Sequence, residues 1–166
     1  MVYFDTEEHQ IPDESIQLAE IPKLGSQWRV IHDFNPREYL PGTVLVSVGV
    51  SMEKSNPRGY VGVGFHPPKI GLGYLSSESN LNRMLVQSTQ LPKVGEWTKI
   101  EMIHEKENGK FFLSLSVGGQ EVGREEVTDL DLRQPTDVKI CIGTDGKSLV
   151  GFNGGVIRRL VVLEKS

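Results

Sequence analysis

Glu101, Glu105 and Glu107 come nearest, by type and spacing, to residues that could do chemistry in this chain. Two carboxyl groups flanking a sugar can hydrolyse a glycosidic bond, and retention of configuration needs them about 5–5.5 Å apart. Trp97 to Glu105 alternates polar and apolar residues and reads as a strand, on which residues two apart share a face. Glu101 and Glu105 therefore share a face but stand about 13 Å apart along it. Glu105 and Glu107 have the right parity, yet they abut Asn108-Gly109 among Lys106 and Lys110. A solvated hairpin end accounts for them. Glu125 and Glu126 are adjacent and face opposite ways. There is no Gly-X-Ser-X-Gly elbow, and His9, His32, His66 and His104 are scattered without metal-ligand spacing. No catalytic residue and no metal ligand is assigned, and the expectation is a protein that is not an enzyme.

Two other constellations bear on binding. Asp129, Asp131, Asp137 and Asp145 are short carboxylates in or near loops, the type that hard cations prefer, so calcium is possible. No dense Asp/Asn/Gly loop surrounds them, and turn formation is the simpler account. The glycine pattern of the middle strands is more informative. In Tyr60–His66, Val61, Val63 and Phe65 face one way, while Tyr60, Gly62, Gly64 and His66 face the other. In Ile70–Tyr74, Ile70, Leu72 and Tyr74 oppose Gly71 and Gly73. Glycine weakens a strand, so a row of them on an outer face calls for the close approach of a ligand or another backbone. If the two strands pair, they form a smooth floor. Tyr60 and His66 then lie along its ends, with Arg58 and Arg83 in the adjoining segments; these eight residues are the candidate ligand site. A loop, the N-terminal leader or a second subunit covering the floor explains the glycines equally well.

The elements that must position these residues are strands. Ser15–Ile21, Gln27–Phe34, Thr43–Ser51, Tyr60–Phe65, Ile70–Leu75, Leu81–Ser88, Trp97–Glu105, Phe111–Val117, Gln120–Val127, Thr136–Gly143 and Val156–Leu163 all carry strand signals. Asn108-Gly109 and Gly118-Gly119 mark tight hairpin turns. Turn signals every 8–12 residues or so are the spacing of a sandwich or barrel. Only Thr128 to Arg133 has room for a helical turn, which excludes a βαβ nucleotide-binding architecture. The predicted fold is all-β, a two-sheet antiparallel β-sandwich. Its core should contain Trp28, Val30, Phe34, Val46, Val61, Val63, Phe65, Ile100, Met102, Leu113, Leu115, Ile140 and Leu160. Residues 1–15, with Asp5, Glu7, Glu8, Asp13 and Glu14, read as a flexible acidic leader, and 16–166 as a single domain.

Composition narrows the partners. Net charge is −4, and no basic stripe stands out, so no nucleic-acid partner is expected. No run of about 18 apolar residues occurs, so no membrane insertion by a helix is expected. Cys141 is the only cysteine, which rules out an intramolecular disulfide and a multi-cysteine zinc site; it reads as a small packed residue.

Gly95-Glu96-Trp97-Thr98-Lys99-Ile100-Glu101, the hairpin Ser116-Val117-Gly118-Gly119-Gln120-Glu121-Val122, and Gly155-Val156-Ile157-Arg158-Arg159-Leu160-Val161-Val162 together resemble the concanavalin A-like jelly-roll superfamily. Its laminin-G-like and pentraxin-like members are the nearest in pattern. The resemblance spans roughly Trp28 to Leu163. It implies that the last strand returns to pair near the first, so Ile16–Ile21 and Val156–Leu163 should be neighbours in one sheet. It also slightly favours an extracellular or surface-exposed setting, with a cytoplasmic one left open. Members bind glycans, proteins or calcium, and some are glycosidases. His32-Asp33-Phe34-Asn35-Pro36-Arg37 is similar to the galectin His-X-Asn-X-Arg strand. The spacing differs, however: His32 and Asn35 are three apart and fall on opposite faces unless a bulge intervenes. Trp97 also comes about sixty residues later, with no arginine close behind it. His32 is read as an ordinary strand histidine, Asn35-Pro36 as a turn and Arg37 as a surface residue. The functional expectation is a non-catalytic, lectin-like recognition module binding a glycan or protein ligand on a sheet face or its rim loops. A structural or assembly domain of a larger protein or particle is the alternative, and a glycosidase of the same superfamily ranks behind both; a homo-oligomer is a possible partner state.

Overall fold

The computed structural model describes residues 2–12, 16–38, 44–49, 60–66, 68–75, 81–127, 136–143 and 154–165. Among the described residues the elements are strands: β1 (Tyr3–Asp5), β2 (His9–Gln10), β3 (Ile16–Lys23), β4 (Trp28–Pro36), β5 (Val44–Gly49), β6 (Tyr60–His66), β7 (Lys69–Leu75), β8 (Leu81–Ser88), β9 (Thr98–Glu107), β10 (Lys110–Val117), β11 (Gln120–Glu126), β12 (Thr136–Ile142) and β13 (Gly155–Glu164). The stretch Thr128 to Arg133, with room for a helical turn, lies outside the described residues. A seven-stranded antiparallel sheet runs β1-β13-β4-β9-β10-β11, with β2 also paired to β13. A six-stranded sheet runs β3-β12-β5-β6-β7-β8. The eleven expected strands are all present.

Alternation drives the packing. β4 buries Trp28, Val30, His32, Phe34 and Pro36 and turns Arg29, Ile31, Asp33 and Asn35 away from the core. All thirteen expected core residues are buried, the most exposed being Trp28 at 2%. Each side chain of this size stabilises the fold by roughly 1.5–3 kcal/mol through burial alone. The β9–β10 turn places Asn108 at φ 52° and Gly109 at φ 80°, and the β10–β11 turn places Gly118 and Gly119 at 64° and 82°. These are the left-handed values that favour Asn-Gly and Gly-Gly.

Three expectations need correction. β3 does not lie beside β13; it pairs with β12 at the edge of the six-stranded sheet, Ile16 opposite Ile142. The neighbours of β13 are β4 and the N-terminal segment itself. Within the predicted leader, Tyr3 pairs with Val162 and Asp5 with Leu160, and His9 pairs with Ile157. Tyr3 packs on the core and Ile11 is 4% exposed within it. The acidic residues masked this edge strand, because an edge strand needs only a few inward apolar contacts and backbone hydrogen bonds. Finally, Asn35-Pro36 is not a turn: both residues continue β4 opposite Val156 and Gly155. Proline is tolerated there because the strand ends at that residue.

Gly155 secures this junction. Its φ is 124°, and a Cβ there would overlap the Asn35 carbonyl oxygen and lie 2.9 Å from Pro36 Cα. The glycine that opens the last strand is thus needed for close backbone approach as well as for its conformation.

Candidate functional site

The two sheets present outer faces of different kinds. On the six-stranded sheet, the register aligns Gln17, Cys141, Ser47, Gly62, Gly73 and Met84 in one row across six strands. A second row aligns Val44, Gly64, Gly71 and Gln87. The glycines face each other in pairs, Gly62 with Gly73 and Gly64 with Gly71, as the alternation of Val61, Val63 and Phe65 into the core requires. All four glycines are buried, as are Ser47 and Cys141. The small-residue floor exists, but it is not an open surface. Tyr60, His66 and Arg83 lie on β6 and β8, but their side chains, and all of Arg58, fall outside the described residues. So do Asp129, Asp131, Asp145 and the side chain of Asp137.

On the seven-stranded sheet, three rows of large side chains stand outward. Arg158, Asp33 and Lys99 are aligned across β13, β4 and β9. Val161, Ile31, Glu101 and Ser116 form the next row, and Leu163, Arg29, Ile103 and Ser114 the third. Glu101 accepts from Lys99 Nζ at 2.7 Å and meets Arg29 Nη1 at 3.5 Å. It is 7% exposed. Two basic side chains on the neighbouring positions fold over it. Glu105 and Glu107 both pair with Arg124, whose guanidinium also lies 4.2 Å from the centre of the Phe112 ring. Glu101, Glu105 and Glu107 are thus each paired with a cation.

At one end of this face Trp97 is half-buried beneath Arg158, whose guanidinium carbon is 3.8 Å from the ring centre. Arg158 Nε and Arg159 Nη1 approach the same Asp33 Oδ2, at 3.4 and 3.7 Å. Adjacent strand residues would point to opposite faces. A bulge between Arg158 and Val161 puts Arg159 at φ 53° and brings both arginines to one carboxylate. Sequence reading missed this cluster, since it assumed a regular strand through Arg158-Arg159; the only available signal was Trp97 beginning an alternating run. At the other end, outward Ile103 and Leu163 floor a depression of about 230 Å³ rimmed by Gln27, Arg29, Glu105 and Lys165.

The remaining polar groups are structural. His32 is 1% exposed in the core with both ring nitrogens unpartnered, and burial pushes its pKa down to about 3. The galectin-like motif is thereby dismantled: His32 points inward, Asn35 outward, and Arg37 is exposed beyond the strand. His104 stacks between Trp28 and Phe111, and its Nδ1 donates to the Ser26 carbonyl at 2.7 Å. Burial holds it down to about 4 although that hydrogen bond opposes the shift. Asp5, Glu7 and His9 bring three donor atoms within 4.8 Å of one another, a convergence that sequence spacing did not reveal. Asp5 bonds His9 Nε2 at 2.7 Å and accepts from the Glu7 amide and the Tyr3 hydroxyl. Burial raises the Asp5 pKa, but those bonds outweigh it and hold the carboxyl below its usual range. Asp5 accepts from within the cluster and links β1 to β2 through His9.

This two-sheet arrangement has counterparts among solved structures. The carbohydrate-binding module (CBM40) of the Ruminococcus gnavus IT-sialidase superposes with a TM-score of 0.66 at 16% identity, over 97% of this chain and 91% of that one. The fold is a concanavalin A-like jelly roll. Domain 4 of AbnA, an extracellular arabinanase of Geobacillus stearothermophilus, solved with arabinotriose, matches at TM-score 0.60 and 15% identity; 87% of this chain covers 65% of that one. Domains LG4-5 of the mouse laminin α1 chain match at TM-score 0.56 and 14% identity, over 95% of this chain and 41% of that one. Neither a family model nor a curated protein sequence matches the jelly roll described here. Identities this low establish shared architecture, and function has to be argued from the site.

Proposed function

We propose that this jelly roll is a non-catalytic recognition module that binds a glycan or a protein ligand on the outer face of its seven-stranded sheet. The observation that carries this reading is the outward array in which exposed Lys99 and Arg29 and half-buried Arg158 and Trp97 are held by Asp33 and Glu101, continued by the apolar depression at Ile103 and Leu163. Fixed ionic side chains beside half-exposed apolar ones give orientation and contact area together, as a binding surface requires. The non-catalytic part rests on the pairing of Glu101, Glu105 and Glu107 with cations. It agrees with the character of the neighbours, one of which was solved with sialyllactose and another with arabinotriose.

A glycan array, run with and without calcium and followed by titration of any hit, tests the reading. Trp97→Ala should abolish binding to a hit while leaving the fold intact. Turnover of a polysaccharide, lost on Glu101→Gln in a folded protein, would instead make it an enzyme.

One observation favours a second location, the glycine rows of the six-stranded sheet. There Tyr60, His66, Arg58 and Arg83 would flank a ligand, or a second copy of the chain, lying across Gly62–Gly73 and Gly64–Gly71. Because these glycines are buried, that site would have to open before it binds. Binding that survives Trp97→Ala but is lost on Gly62→Val would move the site there.

A further inference from the structure

Charge is distributed unevenly along the outer face of the seven-stranded sheet. At the Trp97 end three cations, Lys99, Arg158 and Arg159, meet two carboxylates, Asp33 and Glu101, and Arg29 reaches Glu101 from the row of Ile103 and Leu163. At the β9–β10 hairpin end one cation, Arg124, meets two carboxylates, Glu105 and Glu107. The first cluster keeps a surplus of positive charge on a chain whose net charge is −4. The surplus also sits outermost. The side chains of Arg159, Lys99 and Arg29 are 67, 51 and 45% exposed, while those of Asp33 and Glu101 are 20 and 10% exposed. The carboxylates hold the cations in place from below, and the cations face the solvent.

The backbone contributes as well. Arg159 is the one described non-glycine residue besides the hairpin Asn108 with positive φ. A bulky residue held there is strained. The bulge carries Arg159 to the same carboxylate as Arg158, and the Arg158 guanidinium itself sits over the Trp97 ring. Two planar guanidinium groups placed side by side suit the oxygens of a carboxylate or sulfate, which they can grip with paired hydrogen bonds.

We infer that the Trp97 end of this face binds an acidic glycan, one bearing carboxylate or sulfate groups, with its anionic group at Arg158 and Arg159. The inference rests on the recognition reading and names its ligand class. Charge complementarity selects the anion and, through the acidic surplus at the Arg124 end, orients the ligand. Trp97 and the depression at Ile103 and Leu163 supply the apolar contact that sugar rings use and that a simple acidic peptide would not need.

The test is calorimetric titration of the whole chain with a heparin-derived tetrasaccharide, with the same tetrasaccharide after desulfation and reduction of its carboxyl groups to alcohols, and with an oligoglutamate whose charge equals that of the sulfated sugar. The sulfated sugar should bind, at least tenfold more tightly than the desulfated one, and more weakly as salt is raised. Arg159→Gly should cost at least tenfold, and since glycine accepts the left-handed φ the fold should survive. Lys99→Gln should cost a smaller factor and serves as a second variant on a regular part of β9. Equal affinity for both sugars, with Trp97→Ala abolishing each, overturns the anionic assignment and leaves the recognition reading standing. Affinity for oligoglutamate equal to that for the sulfated sugar overturns the glycan assignment. Binding of the sulfated sugar undiminished by Arg159→Gly and Lys99→Gln overturns the location.

Discussion

The outer faces of the two sheets share one folding rule and reach opposite surfaces. In both, alternate residues enter a common core, and the residues between them are left to the outside. On β6 and β7 those residues are glycines, paired across the strands and buried. On β4, β9 and β13 they include arginine, lysine, aspartate and glutamate joined in ion pairs, with Arg29 and Lys99 exposed, beside the apolar Ile31, Ile103, Val161 and Leu163. Side-chain volume makes the difference. A face without side chains permits close approach and becomes interior, whereas a face of long charged chains keeps other backbone away and stays surface. The proposed recognition site therefore lies on the seven-stranded sheet, although the glycines were the more conspicuous feature of the sequence.

The largest expected effect tests the core that both faces share. His32 and His104 lie on the inner side of β4 and β9, and burial depresses both pKa values, to about 3 and about 4. A histidine whose folded pKa lies below its unfolded value of about 6.5 takes up its proton in the unfolded state first. Stability is therefore full above pH 6.5 and falls as pH drops toward 4, by roughly 1.4 kcal/mol per histidine per pH unit. Urea denaturation at pH 7.0 and at pH 5.0 should show a loss of a few kcal/mol, reduced by about half in His32→Gln if that variant folds. An unchanged midpoint would mean that the interior under the seven-stranded sheet is hydrated.

Next comes the closed face itself. Gly62→Val should destabilise by about 1–3 kcal/mol, the cost of overpacking an interior position. A change within about 0.5 kcal/mol, as at ordinary surface positions, would erase the contrast between the faces and return the glycine rows to candidacy as an open floor.

On the open face the effects should be smaller. Glu101→Gln leaves Arg29 and Lys99 without their shared carboxylate in a nearly buried spot, and a loss of about 1–2 kcal/mol is expected. The midpoint should become less sensitive to salt. Arg124→Ala, at the exposed hairpin end, should cost under about 1 kcal/mol despite its two carboxylates and the Phe112 ring. Were Arg124 to matter more than Glu101, the hairpin end would be the more organised part of the face.

Much of this was legible in the chain. Period-two alternation in Gln27–Phe34 and in Trp97–Glu105 identified the strands and which residues they bury, because a half-buried strand has only two faces to choose between. Asn108-Gly109 and Gly118-Gly119 announced their turns, since few other residues accept those φ values. The face-to-face glycines of β6 and β7 followed from parity and a short connection. What a strand pairs with is another matter. The acidic segment Tyr3–Gln10, taken for a loose leader, took the place beside β13 that Ile16–Ile21 was expected to fill. Strand pairing is settled by shape and by backbone hydrogen bonds, which leave no mark on residue type at a sheet edge. The burial of the glycine floor, the capture of Glu101 by Arg29 and Lys99, and the meeting of Arg158 and Arg159 at Asp33 were likewise decided only in three dimensions. Each depends on residues far apart in the chain, or on a single bulge that turns two neighbours to the same side.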